Sequence, residues 1–211
     1  MKYLFYVLIF NFVLIGFSGC GTGPQQKTGF LSDYSKLSPT PYKDAEGAMT
    51  YINPNTSLKN YNQFILKPVE IRLTKEGKEE GIDPAKLKEL AAYFDSSLRI
   101  ELGKSDYKVV NQPGPGTLIL RAALTHINPA NPLANIHPGM IATGVGLGGA
   151  SMEVELLDAS TNEVVVAVID TQKGARGFDG LTKYGNAKNV IEKWSKRLVI
   201  RMDEQHGKTR K

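Results

Sequence analysis

The sequence predicts an α+β fold: an antiparallel or mixed sheet of about five strands with two helices packed on one face, behind an N-terminal signal and an extended lead. Three observations predict it. Apolar and polar residues alternate from Thr117 to Ile127 and again through Met152, Val154 and Leu156 with Glu153 and Glu155 between them, which is strand periodicity. Leu87, Leu90, Ala91, Phe94, Leu98 and Leu102 recur at helical spacing, and so do Val190, Ile191, Trp194, Leu198 and Met202. Neither helical stripe is apolar all round, so each packs one face on a sheet.

The elements follow in order. In Phe64-Ile-Leu66-Lys-Pro68-Val69-Glu-Ile71-Arg-Leu73 the apolar set changes parity at Lys67-Pro68, which marks a kinked first strand at a sheet edge. Lys75 to Gly81 reads as a charged turn. Asp83 is then an N-cap with Pro84 in the first helical position, and Gly103 ends the helix. Tyr107 to Val110 is a short strand closed by the stiff turn Pro113-Gly-Pro-Gly116. Residues 150 to 171 make a hairpin whose turn runs from Asp158 to Asn162, a residue that tolerates the left-handed conformation. The last helix spans about Asn186 to Met202.

Ahead of these elements stands an uninterrupted apolar stretch. Residues 3 to 17 are apolar apart from Asn11, Lys2 precedes them, and Ser18-Gly19 lead into Cys20, the one cysteine of the chain. A membrane span needs about 20 apolar residues, and this stretch is shorter and has no cationic stop. It reads as a bacterial lipoprotein signal with a lipobox, in which Phe17 replaces the usual Leu and is expected to slow processing. Cleavage between Gly19 and Cys20 leaves the thiol diacylglycerylated and the new amino group acylated, for example with palmitate. Two or more chains then hold the protein stably on a bilayer. Gly21, rather than Asp, predicts an outer-membrane anchor facing the periplasm. The predicted organisation is a signal peptide over 1–19, a lipidated tether and extended lead over 20–62, an α+β domain over 63–203 and a basic tail over 204–211. In the lead, Phe30, Tyr34, Tyr42, Tyr51 and Tyr61 read as pegs that dock a strap on the domain.

Composition narrows the chemistry. Lys and Arg number 26 against 21 acids, a formal charge of +5; the mature chain keeps +4, because residues 1–19 hold one lysine and no acid. The one basic run, His206 to Lys211, reads as a solvated tail, so no nucleic-acid partner is expected. With its thiol given to lipid, the mature chain has no disulfide. His126, His137 and His206 are not spaced as metal ligands, and neither metal nor other cofactor is expected. The run Gly144-Val-Gly146-Leu-Gly148-Gly149 fits GxGxxG as a string, but its glycines precede a strand instead of linking a strand to a helix. They read as a partner-contact loop, as does 174–185. Glu153, Glu155, Asp158 and Asp170 read as a solvated strand face and turn caps. The alternative is a pair of working acids, since Glu153 and Glu155 stand about 7 Å apart along one side of a strand.

The runs Gly29-Phe-Leu-Ser-Asp-Tyr34, Tyr51-Ile-Asn-Pro54, Pro113-Gly-Pro-Gly116, Gly149-Ala-Ser-Met-Glu153 and Glu155-Leu-Leu-Asp158, followed by the Trp194 helix, resemble the lipoprotein family called domain of unknown function 3313. Asn162 stands where similar hairpins often carry Gly. The resemblance implies a Gram-negative envelope lipoprotein and carries no activity or catalytic residues. Together these readings favour a non-enzymatic binding or accessory module, anchored to the membrane through Cys20, for an envelope protein complex or peptidoglycan. The alternative is a periplasmic hydrolase or glycan-active enzyme that uses Glu153, Glu155 and Asp170.

Overall fold

A computed structural model describes residues 26–133, 146–175 and 181–208. Cys20, Gly19, Phe17, His137, Gly144, the apolar N-terminal stretch and the last three residues of the tail lie outside them.

The described strands are β1 (Ser38–Pro39), β2 (Met49–Ile52), β3 (Gln63–Leu66), β4 (Glu70–Ile71), β5 (Lys108–Val109), β6 (Thr117–Asn128), β7 (Gly149–Asp158) and β8 (Val164–Lys173). The helices are α1 (Lys75–Glu79), α2 (Pro84–Gly103) and α3 (Gly185–Gln205). All eight strands join one sheet in the order β1-β2-β8-β7-β6-β3-β5, with β4 continuing beside β6. The expectation of about five strands is corrected on two counts. The lead contributes β1 and β2, the latter antiparallel to β8, and β3, β4 and β5 pair in parallel. Parallel pairing follows from connectivity. A strand, a helix and a strand in sequence make a crossover that returns the chain in its original direction.

β3 and β4 are one strand interrupted at Lys67-Pro68, where the parity change falls, and both halves pair with β6. Residues 75–79, read as a turn, form the single helix turn α1, because the Thr74 hydroxyl accepts from the Gly77 amide and caps it. α2 begins where its signals place it, with the Asp83 side chain accepting from the Ala85 amide at 2.8 Å and Pro84 inside the first turn. Its predicted stripe is buried against the sheet. α3 buries Val190, Ile191, Trp194 and Met202 beside it, and the rings of Phe94 and Trp194 lie 5.9 Å apart. Both long helices therefore cover one face.

The β7–β8 hairpin turns on Asn162, whose φ is 60°, the left-handed geometry that its short polar side chain permits. Asp158 accepts from the amides of Ser160 and Thr161 and, at 2.8 Å, from the buried Tyr61 hydroxyl of the lead. The Ser160 hydroxyl above all, with the Tyr61 hydroxyl and these amides, holds the Asp158 carboxyl well below its usual range against the effect of burial. Burial, then the bond to Asp158, pushes the Tyr61 phenol up to about 12. Tyr61 thus contributes stability that is complete below the unfolded phenol value, about pH 10, and is lost as pH rises toward its folded value. Asp158 contributes stability that is complete above about pH 4 and fades below it. Tyr61→Phe is expected to reduce the alkaline loss between about pH 10 and 12, leaving the part that Tyr34 contributes, with the acid limb mostly in place. Urea melts across pH check this, and an unchanged alkaline limb would refute the pairing.

Candidate functional site

On the face away from the helices, Glu153 and Glu155 of β7 are fully buried, not solvated as their alternation suggests. The lead covers them. Glu153 accepts from the Thr28 amide at 2.8 Å and the Tyr34 hydroxyl at 2.6 Å. Glu155 accepts from the amide and hydroxyl of Ser32 and, at 3.1 Å, from the Arg121 guanidinium. Arg121 also lies 4.9 Å under the Phe30 ring. Phe30 and Leu31 fill the space beside them against Ala123, Ala167 and Ile169. The aromatic pegs thus dock a strap, and the strap's own donors satisfy the two carboxylates, as buried charge requires. The phenol of Tyr34 is pushed up by burial and by Glu153.

Asp170 of β8 lies on the helix face, also fully buried. It accepts from Arg197 at 2.6 Å, Gln172 at 2.7 Å and the Trp194 indole at 2.9 Å. Each carboxylate proposed for acid–base work thus has a full set of donors. Glu153 and Glu155 are separated from Asp170 by the sheet itself, so the structure does not bring the three together.

An apolar cleft of about 120 Å³ lies between α3 and the sheet. Val154, Leu156, Val166 and Val168 form its floor, Trp194, Leu198 and Met202 its roof, and Tyr42, Ala45 and Ala48 of the lead one wall. That wall is clipped to α3 by charge. Asp44 bridges Arg197 and Arg201, and the Arg201 guanidinium stacks 3.8 Å from the Tyr42 ring centre. The polar members of the lining, Asp170, Arg197, Arg201 and Gln205 among them, include no pair of unengaged acids. A mainly apolar recess of this size, comparable to the engineered cavities of about 150 Å³ that bind benzene or xenon, has room for a small apolar group. Nothing in the sequence pattern announces the cleft, because its wall and roof are some 150 residues apart; the small residues Ala45 and Ala48 are the one local sign.

The described parts of the two candidate contact loops meet at one end of the sheet. The Ala130 amide donates to Lys183 O, Asn131 to Gly146 O, Gly174 to Gly148 O and the Asn186 side chain to Leu147 O. Gly149 is required there: its φ is 153°, and a Cβ would stand 2.2 Å from Gln172 O. Gly148 is also tight, with a Cβ there 2.7 Å from the Ala130 amide. His126 is half-buried at the same end, 3.7 Å from Glu80. Among the described residues no cluster of His, Cys, Asp and Glu is arranged to hold a metal.

A mixed sheet with two long helices on one face and an N-terminal strap on the other defines an α+β domain that carries its own lead as part of the fold. The chain belongs to the family described as "Protein of unknown function (DUF3313)", whose model matches residues 26–198. It is similar to the "Uncharacterized lipoprotein YdcL" of Escherichia coli K12, 24% identical over 196 residues that cover 85% of this chain and 87% of that one. Among solved structures it is similar to a point variant of the PelC dodecamer from Paraburkholderia phytofirmans, with a TM-score of 0.43 and 15% identity over 72% of this chain and 95% of that one. It is also similar to a DUF4136 family protein from Bacteroides thetaiotaomicron, with a TM-score of 0.38 and 13% identity over 75% and 96% of the two chains.

Proposed function

We propose that the chain is a lipid-anchored envelope lipoprotein, held through acylated Cys20 on the periplasmic face of the outer membrane. Its domain is a non-enzymatic binding module that receives an aliphatic group of its partner, an envelope protein or a cell-wall component, in the cleft under α3. The lipobox ending at Cys20 supports the anchor, and so does the alignment with a protein named a lipoprotein over 85% of the chain. The observation that carries the binding reading is the contrast between the cleft and the acids: the cavity is lined mainly by aliphatic and aromatic side chains, while Glu153, Glu155 and Asp170, the last at its edge, spend their lone pairs on the fold. Apolar pockets with few polar groups are what ligand sites look like.

Xenon titration of the chain from residue 20 onward with Cys20→Ser tests it. Methyl resonances of Val154, Val166 and Val168 are expected to shift saturably, and Ala48→Phe or Val168→Phe to abolish the shift. Methyls that do not respond would rule the cleft out as a binding site.

A further inference from the structure

We propose that the loop end of the sheet stands on the bilayer that holds the Cys20 lipid, with Leu133 and Leu181 entering its headgroup layer. This rests on the lipoprotein reading above and adds an orientation to it.

The course of the strap sets the orientation. Ser32 sits on Glu155 and Thr28 on Glu153, so toward its N-terminus the strap runs along β7 in the direction of Gly149. Farther on, Gln26 lies beside Glu76 of α1, whose carboxyl it helps hold below its usual range, and α1 packs on the strand end at Thr125 and His126. The chain therefore leaves the domain where β6 ends and β7 begins. From Gln26 to Cys20 six residues remain, at most about 21 Å of chain. The hairpin turn at Ser160, at the opposite end of the strands, is roughly 30 Å away. That leash is too short for the domain to stand upright on its far end, which would lift Gln26 roughly 30 Å off the bilayer, while the near end lies within reach.

The near end also has the surface that such a position requires. Leu133 is 75% exposed and Leu181 44% exposed, the former the most exposed large apolar residue described. The bond from Ala130 to Lys183 O holds their two segments together. Lys173, opposite Gly149, and Lys183 are exposed at this end, able to keep their ammonium groups at the level of phosphates. Glu76, Glu79 and Glu80 lie to one side, so reach and apolar exposure, rather than net attraction to anionic lipid, favour this end.

Because acylation consumes Cys20, the one cysteine, an introduced thiol is the sole site for a fluorophore. The experiment takes the full lipidated protein carrying Leu133→Cys, Leu181→Cys or Ser160→Cys, labelled and reconstituted in phosphatidylethanolamine–phosphatidylglycerol vesicles containing a headgroup spin-labelled lipid. Intact mass is measured on each sample. Quenching at 133 and 181 at least threefold above that at 160 is expected. Acylated protein whose three labels are quenched alike, or whose labels at 133 and 181 are shielded from lipid and from aqueous iodide together, would overturn the orientation alone; the latter outcome would give this end to a protein partner. Protein without acyl mass would overturn the anchor and the orientation with it.

Discussion

Arg197→Met is expected to destabilise the domain by about 3–5 kcal/mol, the usual consequence of leaving one member of a buried ion pair without the other. Asp170 is fully buried, and among the described residues its 2.6 Å bond to Arg197 is the one contact that supplies a positive charge. Gln172 and Trp194 still donate to it in the variant, but both are neutral. Arg197 also holds Asp44, so its loss weakens the clip on one wall of the cleft, which Arg201 still holds. Urea denaturation measures the first effect. The double variant Arg197→Met with Asp170→Leu is expected to recover part of the loss, since an apolar pair avoids the desolvation of both ions but leaves the Trp194 indole without its acceptor. A single variant within about 1 kcal/mol of the parent would contradict the assignment of Asp170 as a structural anion.

Phe30→Ala is the second large effect. The ring is 5% exposed, packed among Leu31, Ala123, Ala167 and Ile169 with Arg121 beneath it, and burial of this kind costs about 3–5 kcal/mol to remove. The loss is expected to fall on the strap more than on the helix side of the sheet, because the two apolar clusters lie on opposite faces and share no residue. Local opening then precedes global unfolding. Cleavage by trypsin after Lys27 or Lys36 is expected to accelerate about a hundredfold, equivalent to about 3 kcal/mol of easier opening, before the α2–α3 face loosens. Equal cleavage rates in parent and variant would show that the strap is held by something other than this ring. A lifted strap also uncovers Glu153 and Glu155, so their donors would be replaced by water.

The parts of the fold that are legible in the sequence are those fixed by neighbours in the chain. Asp83, Pro84 and Gly103 bracket α2 because caps act within a few residues, and the Asp158–Asn162 turn is set by two side chains that bond or bend their own backbone. Alternation also places Glu153 and Glu155 on the face opposite Met152, Val154 and Leu156. It does not say what covers that face. The cover is Thr28 to Tyr34, some 120 residues away, and a strand pattern is the same whether water or a strap lies over its polar side. The cleft is hidden for the same reason, since it exists between α3 and a lead turn that meet through Asp44, Arg197 and Arg201. Tyr34 and Phe30 are the available clue: aromatic residues in a loop-rich lead need a surface to dock on, and two buried carboxylates need donors. The two candidate contact loops are legible as glycine-containing segments, yet the convergence of Ala130, Gly146 and Lys183 at one sheet end is a property of the topology.

Membrane attachment through Cys20 is tested most directly by the intact mass of the native protein extracted from its own envelope. The expected species is a chain beginning at Cys20 and carrying a diacylglyceryl group and an amide-linked acyl chain. A mass that retains Met1 to Gly19, or a free thiol at Cys20, would contradict it.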